Sequence, residues 1–200
     1  MKTGIRAWLA ATGLCLVLTA PGHTRSLADQ SPLDLIKLRN QEVEQILDRA
    51  GDSVNVETKE QLKDVINGCI DFAELSRLAL GKYWDERTEQ EKSDFVAVFQ
   101  QLIRNSSVKK LEVYKADKIE YEKPEIDGNK AEVLQIAYKK RKQVEVLYKL
   151  HLFNQEWKVY DMEIDGVSTA RNYRESFYKQ IAKSSYQEMY DKLVKRLEQD

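Results

Sequence analysis

Cysteine, histidine and proline are scarce in this sequence. Its 200 residues include 2 cysteines, 2 histidines and 3 prolines. Cys15 and His23 fall in an N-terminal leader segment, so the rest of the chain keeps only Cys69 and His151. A single cysteine cannot form an intramolecular disulfide, and a single histidine is too few for a typical zinc site. No Ser-His-Asp arrangement is indicated either, so we predict no catalytic residues, no metal and no cofactor.

Glycine-rich loops and an excess of charge of one sign are also missing. The 8 glycines form neither a P-loop nor a dinucleotide-binding fingerprint. The formal net charge is only -1, with 32 basic and 33 acidic residues interspersed. A nucleic-acid-binding surface would show a basic stripe, so we expect no nucleic-acid partner. The densest basic run, Lys139–Lys142, is either a solvated hairpin tip or a contact for anionic headgroups or an acidic partner.

The first 28 residues have the pattern of a secretory signal peptide. Lys2 and Arg6 precede an apolar run over residues 7–18, and small residues at Ser26 and Ala28 fit a cleavage site. The apolar run has about a dozen residues, whereas a membrane-spanning helix needs about 20. We therefore predict a cleaved signal peptide over 1–28, export from the cytoplasm, and a single domain over 29–200. A lipid anchor at Cys15 is disfavoured, because the bulky Leu14 precedes it.

Helical and strand patterns occupy separate parts of the chain, which predicts an α+β fold with an antiparallel sheet. Helices are expected over 31–115, a sheet over 118–164 and further helices over 168–198. Serine, threonine or aspartate predicts each helix start, in most cases with an acid or glutamine three residues later. These starts are Ser31, Thr58 with Gln61, Asp71 with Glu74, Thr88 with Glu91, Ser168, and Ser185 with Glu188.

About four strands are predicted from alternating apolar residues. They are Lys118–Glu122, Lys130–Tyr138, Gln143–Phe153 and Glu156–Ile164. A strongly curved antiparallel sheet diverges from straight helices at one end, which allows a cavity between the layers. Composition and periodicity leave both an apolar pocket and an ordinary filled core open.

Three longer segments carry a family resemblance. Ile70–Trp84 reads IDFAELSRLALGKYW, Glu89–Ile103 reads EQEKSDFVAVFQQLI, and Trp157–Phe177 reads WKVYDMEIDGVSTARNYRESF. In order and spacing they resemble the MlaC/toluene-tolerance family of periplasmic phospholipid-shuttle proteins. The resemblance implies a curved antiparallel sheet of the nuclear-transport-factor-like kind, packed with helices around an apolar pocket.

The same resemblance implies a function in lipid transport. Members of this family carry phospholipid as cargo between an outer-membrane lipoprotein complex and an inner-membrane ABC transporter with an MCE-domain subunit. This traffic maintains the lipid asymmetry of the outer membrane, and no member acts as an enzyme in this role. The resemblance therefore implies a binding protein with phospholipid cargo, two membrane-associated partner complexes and no cofactor.

Candidate lipid contacts follow from placing the apolar stripes around such a pocket. The helical wall would consist of Leu75, Leu78, Phe95, Phe99, Leu102 and Ile103. The sheet and the mouth would contribute Val146, Tyr148, Tyr160, Val167, Tyr173 and Phe177. Ordinary core packing is the alternative for each. Asp161 and Arg174 either pair across the strand-to-helix turn or have ordinary surface roles.

Two other functions remain open at this point. A carrier of a hopanoid or another amphiphile would use the same fold with different headgroup contacts. A lipid-free periplasmic interaction module would have a filled core. An enzyme on this fold would place a His-Asp pair inside the cavity, and His151 alone gives that interpretation little support.

Overall fold

The computed structural model describes residues 30–51, 53–109, 111 and 114–199. The predicted signal peptide, residues 1–28, and Cys15 within it lie outside these residues. Within the described ranges, no helix combines the length and the apolar character needed to cross a bilayer.

Helices form the first half of the described chain. They are α1 (Pro32–Ala50), α2 (Val56–Asn67), α3 (Phe72–Leu80), a 3-10 turn (Gly81–Tyr83) and α4 (Glu89–Ser107). Ser31 caps α1 by accepting a hydrogen bond from the backbone N–H of Asp34, at 3.1 Å. Thr88 and Glu91 form both halves of the predicted capping box of α4. These starts are as predicted, because each depends on side chains only three residues apart.

The predicted start of α2 is wrong. Asn55, not Thr58, is the N-cap, and its Oδ1 accepts the backbone N–H of Thr58 at 2.8 Å. Asparagine is at least as good an N-cap as threonine, so the helix begins earlier, at Val56.

The strands form one antiparallel sheet. They are β1 (Lys118–Tyr121), β2 (Glu125–Asp127), β3 (Lys130–Lys139), β4 (Lys142–Phe153), β5 (Glu156–Ile164) and β6 (Val167–Ser168). Their order is β1-β3-β4-β5-β6, and β2 also pairs with β3 beyond the end of β1. The predicted α+β class with a curved antiparallel sheet is confirmed. The short β2 and β6 were not predicted, because 3 and 2 residues are too few to show an alternation.

Two helices follow the sheet in the described chain, α5 (Thr169–Lys183) and α6 (Tyr186–Leu197). Ser168 and Ser185 cap them, as predicted, by accepting backbone N–H groups three residues on. Asn154 and Gln155 form the tight β4–β5 turn with φ angles of 49° and 65°. Positive φ at both turn positions is the geometry that matches the twist of a two-residue hairpin.

A β-bulge in β5 decides which side chains face the interior. The β4–β5 register shifts so that Lys149 pairs with Asp161 while Leu150 pairs with Val159, which leaves Tyr160 as the extra residue. A shift of one residue moves the side chains that follow to the opposite face. Val159 and Met162 therefore face the same side although they are three residues apart.

The buried apolar residues form separate clusters. The helical core joins α3, α4, α5 and α6, and contains Phe72, Leu75, Ala79, Leu80, Phe95, Phe99, Leu102, Ile103, Ala170, Phe177, Tyr186, Met189 and Leu193. The sheet core joins α1 to β3, β4 and β5, and contains Leu35, Ile36, Cys69, Ala131, Val133, Val146, Tyr148, Leu150 and Val159. Half-buried Ile70 packs against both clusters.

Candidate functional site

A cavity of about 540 Å³ lies between α1, the concave face of the sheet, the end of α4 and the start of α5. Ligand pockets in proteins span roughly 300 to 1,000 Å³, so this volume fits a sizeable ligand. Its lining is Ile36, Arg39, Asn40, Val43, Ile66, Cys69, Ile70, Ile103, Ser106, Ser107, Tyr114, Val146, Tyr148, Val159, Met162, Ile164, Asp165, Val167, Ser168, Thr169, Asn172 and Tyr173.

Helix α1 forms one wall of the cavity. Ile36, Arg39, Asn40 and Val43 occupy positions i, i+3, i+4 and i+7, so they share one face of the helix. Ile36 and Val43 are fully buried, and the same face also contacts β3 through Asn40. This wall is therefore fixed to the sheet by both apolar packing and hydrogen bonds.

The opposite wall comes from β4 and β5. Val146 and Tyr148 alternate along β4, and Val159, Met162 and Ile164 come from β5. The bulge at Tyr160 brings Val159 and Met162 to this face together. The sheet wall is therefore almost entirely apolar.

Exposed and polar lining residues mark the mouth of the cavity. Ser106 and Ser107 at the end of α4 form one side, and the β5–β6 turn and the first turn of α5 form the other. Asp165, Val167 and Asn172 are exposed on this rim. Val167 also lines the cavity, and it keeps 57% of its surface exposed.

A buried hydrogen-bond network interrupts the apolar wall. The Asn40 amide donates to Gln135 Oε1 at 2.6 Å and to the Tyr121 hydroxyl at 2.7 Å. The Tyr148 hydroxyl also donates to Gln135 Oε1, at 3.2 Å. Gln135 is fully buried, and its Nε2 has no hydrogen-bond partner among the described residues. The network links α1 to β1, β3 and β4.

Burial keeps the tyrosine hydroxyls and the cysteine thiol of the wall neutral. Loss of solvent raises the pKa of Tyr148 and of Tyr114 well above the ordinary tyrosine value. Burial also raises the pKa of the Cys69 thiol, so Cys69 stays protonated near neutral pH and is a poor nucleophile. The cationic Arg39 pairs with Glu42 at 2.8 Å, and Asp165 is exposed on the rim. The interior therefore offers apolar contact with little charge.

Asp161 holds the connection between the sheet and α5. Its carboxylate accepts the Ser168 hydroxyl at 2.6 Å and the backbone N–H of Ala170 at 2.9 Å. We expected Asp161 either to pair with Arg174 or to have an ordinary surface role, and both expectations are wrong. The residue is buried, and its partners are Ser168 and Ala170 rather than Arg174. The Arg174 stem instead packs beside Gly81.

The structure places part of the predicted set on the cavity wall. Ile103, Val146, Tyr148, Val167 and Tyr173 all line the cavity, at its side, its sheet wall and its mouth. They come from α4, β4, β6 and α5, so the fold brings together residues that are distant in sequence. Their contact with a lipid stays a prediction.

The other predicted residues do not line this cavity. Leu75, Leu78, Phe95, Phe99, Leu102 and Phe177 pack in or against the helical core. Phe99 supports the wall from behind, since its ring lies 4.8 Å from the ring of Tyr173. Tyr160 is the bulge residue, and with Leu75 it borders a separate small recess. The expectation that these residues form the pocket wall is therefore wrong. An apolar stripe shows that a helix face is buried, but it does not show which surface the face packs against.

Sequence reasoning missed the α1 wall and most of β5. A signal was present in α1, where Asn40 interrupts an apolar stripe that continues through Ile36, Val43 and Leu47. A buried amide on such a stripe indicates a specific hydrogen-bond partner inside the fold. Met162 and Ile164 could not be assigned to the cavity, because their face depends on the bulge.

A His-Asp pair exists, but it lies outside the cavity. His151 Nε2 lies 2.9 Å from Asp71 Oδ2, and neither residue lines the cavity. Asp71 is also the N-cap of α3, where its Oδ1 accepts the backbone N–H of Glu74 at 2.9 Å. The described residues hold no cluster of three or more potential metal ligands. The pair therefore joins α3 to β4 rather than forming a reaction centre in the pocket.

Comparisons with known proteins agree with this architecture. The family model described as MlaC protein matches residues 39–198. A search of curated proteins found no match. Among solved structures, the chain is similar to a phospholipid-binding protein from Ralstonia solanacearum in complex with a phospholipid, with 22% identity, a TM-score of 0.71, and coverage of 82% of this chain and 96% of that chain. Since the family model spans most of the sequence, the chain belongs to the MlaC family.

Proposed function

We propose that this protein is a periplasmic lipid carrier that holds the acyl chains of a phospholipid in the cavity and leaves the headgroup at the mouth. The observation that carries the proposal is the cavity of about 540 Å³, which is lined mainly by apolar side chains and opens at a polar rim. Membership of the MlaC family supports it. The similar Ralstonia solanacearum protein, which holds a phospholipid, supports the class of cargo.

The energetics of lipid transfer explain why such a cavity is needed. Two acyl chains contain roughly 30 methylenes, and at about 0.8 kcal/mol each their exposure to water costs on the order of 20 kcal/mol. A lipid therefore needs a dry compartment to cross an aqueous space at a useful rate. The neutral Tyr148 and Cys69 of the wall fit this task, because an unpaired buried charge would oppose the acyl chains.

The proposed route is an exchange between the two membranes. After removal of the signal peptide, the carrier moves phospholipid between an outer-membrane lipoprotein complex and an inner-membrane ABC transporter with an MCE-domain subunit. This exchange maintains the lipid asymmetry of the outer membrane. Family membership and the leader pattern in residues 1–28 support this route.

The test is mass spectrometry of an organic extract of the mature protein, purified from the periplasm beside a lipid-free periplasmic protein. We expect about one diacyl phospholipid per protein. A polycyclic lipid in the extract would identify the cargo as a hopanoid-like amphiphile instead. An extract without lipid after gentle purification would contradict the carrier function and favour an interaction module.

A further inference from the structure

The tip of the β3–β4 hairpin carries four consecutive cations, Lys139–Lys142. Lys140, Arg141 and Lys142 are exposed, and Lys139 is half-buried. Among the described residues, none of these side chains takes part in an ion pair or a hydrogen bond. The nearby carboxylate of Asp117 accepts the backbone N–H of Lys140, at 2.7 Å, so it is bonded to the main chain rather than to a cationic side chain.

Two features of the tip lower the stability of the hairpin. Lys139 and Lys142 lie directly opposite each other across the strand pair, and like charges in that position destabilise a sheet. Lys140 has a φ of 55°, a backbone region that favours glycine or asparagine over lysine. The fold therefore gives no reason for four cations at this turn, which points to an external anionic partner.

The tip lies at the same end of the sheet as the cavity mouth. Asp165 in the rim and Glu145 in β4 are joined by two hydrogen bonds, of 2.9 Å and 3.0 Å. Lys142 is three residues from Glu145 along the strand, or about 10 Å at the usual rise of about 3.3 Å per residue. On the other side, Asp117 contacts the tip and follows closely after Tyr114, which lines the cavity.

An exposed apolar side chain accompanies the cations. Val167 is 57% exposed on the rim and lines the cavity at the same time. A bilayer supplies both an anionic surface for the cations and an apolar layer for such a residue, and clusters of Lys and Arg are typical of contact with anionic lipids. The combination therefore fits an anionic membrane.

We propose that the Lys139–Lys142 tip, together with the exposed Val167 on the cavity rim, docks the cavity mouth onto an anionic phospholipid bilayer. Docking in this orientation places the cavity entrance against the lipid headgroups, so acyl chains enter or leave without crossing water. The surface deepens the proposed carrier function and rests on it for the identity of the cargo.

The test uses a variant that neutralises the tip and improves the turn. It combines Lys139→Thr, Lys140→Gly, Arg141→Ser and Lys142→Thr, which removes the opposed charges and places glycine at the positive φ. A matched control removes four charges from exposed lysines of α5 and α6 by changing Lys179, Lys183, Lys192 and Lys195 to Gln. α5 starts at the mouth and runs 15 residues away from it, about 22 Å at about 1.5 Å per residue.

The probe is cosedimentation with vesicles of phosphatidylcholine containing increasing fractions of phosphatidylglycerol, at low and high salt. We expect the wild type and the lysine control to bind in proportion to the anionic fraction, and binding to weaken at high salt. The tip variant should bind at least about tenfold more weakly, since each cation near an anionic membrane adds to the affinity. Its thermal midpoint should be equal to or higher than that of the wild type.

Equal binding by the tip variant and the wild type would overturn the proposal. A wild-type protein that does not bind anionic vesicles would also overturn the proposal. Crosslinking of its tip to an acidic protein would then assign the surface to that partner. The organic extract separates this result from the carrier function. A tip variant that loses vesicle binding but retains copurified phospholipid supports both proposals, whereas a lipid-free wild type that binds vesicles contradicts the carrier function alone.

Discussion

Asn40 and Gln135 place amide groups in an otherwise largely apolar region between α1 and the sheet. Each single change there leaves a buried partner without its hydrogen bond, and such a loss is more costly than removing the whole pair. The network therefore sets how α1 is positioned over the sheet, and with it the shape of the cavity.

Replacing Asn40 by Leu is expected to lower the free energy of unfolding by about 1–3 kcal/mol, since Gln135 and Tyr121 lose a buried partner. The double variant Asn40→Leu and Gln135→Leu should lose less than the sum of the single variants, with a coupling of about 0.5–3 kcal/mol. Urea unfolding of all four proteins measures the cycle. Additive effects would show that the amides do not act as a pair.

The buried Tyr148 hydroxyl is expected to make the protein less stable at alkaline pH. Burial raises its pKa in the folded state, so above about pH 10 the unfolded chain releases a proton that the folded chain retains. The folded state then binds more protons, and stability must fall as the pH rises beyond that point. Tyr148→Phe should flatten this fall in urea titrations above pH 10, whereas the core control Leu150→Met should not. An unchanged slope in Tyr148→Phe would contradict the assignment.

Filling the cavity tests the sheet wall directly. Met162→Trp adds an indole to the half-buried wall of β5, so we expect copurified phospholipid to fall well below one per protein. Because the added volume enters existing space, the free energy of unfolding should change by less than about 1.5 kcal/mol. Ile126→Trp, at an exposed site on β2, is the control and should keep its lipid. Full lipid content in a folded Met162→Trp protein would remove this wall from the binding site.

At the scale of elements, the connection from β5 to α5 is the joint on which the mouth depends. The buried Asp161 carboxylate bonds Ser168 and the backbone of Ala170, so it orients the first turn of α5 against the sheet. Tyr173 and Asn172, one turn further on, line the mouth. A change at Asp161 therefore affects both stability and the entrance.

Asp161→Ala is expected to lower the free energy of unfolding by about 1–3 kcal/mol, because three donors, the Ser168 hydroxyl and the backbone N–H groups of Met162 and Ala170, lose their acceptor. Arg174→Met keeps the aliphatic stem beside Gly81 and should change stability by no more than about 0.5 kcal/mol. Thermal and urea unfolding of both variants decides the point. A larger effect for Arg174→Met than for Asp161→Ala would restore the predicted Asp161–Arg174 pair.

Local signals in the sequence predicted most elements, and non-local pairing limited the rest. Ser31, Thr88 and Ser185 bond to groups three residues away, so a short stretch of sequence contains the whole interaction. The α2 start failed because Asn55 and Thr58 both suit the N-cap and compete. The bulge at Tyr160 depends on the register between β4 and β5, which no stretch of β5 alone contains.

The cavity was harder to predict than the fold for the same reason. Phe95 and Phe99 lie on an apolar stripe, but that stripe packs onto α5 rather than onto a ligand, as their ring contacts with Phe177 show. Val146 and Tyr148 both line the cavity, because strand alternation places them on the same face of β4. Periodicity thus identifies which side chains are buried. The tertiary arrangement determines whether they pack against another element or line the cavity.

For the molecule as a whole, the separation of the helical core from the sheet core matters most. The helical core is filled by contacts among α3, α4, α5 and α6, and the cavity lies beside it against the sheet. One part can therefore provide stability while the other keeps space for cargo. In this arrangement, the proposed lipid contacts belong to α1, β4 and β5, while the helical core is filled by its own side chains.

The most direct test loads the protein with a phospholipid whose acyl chain carries a photoreactive diazirine, and maps the adducts by mass spectrometry after illumination. The proposed binding mode predicts adducts on cavity residues such as Ile36, Val43 and Met162, and none on Phe95 in the helical core. Adducts confined to exposed apolar residues such as Ile126 and Phe153 would contradict it, because the acyl chains would then lie on the surface rather than in the cavity.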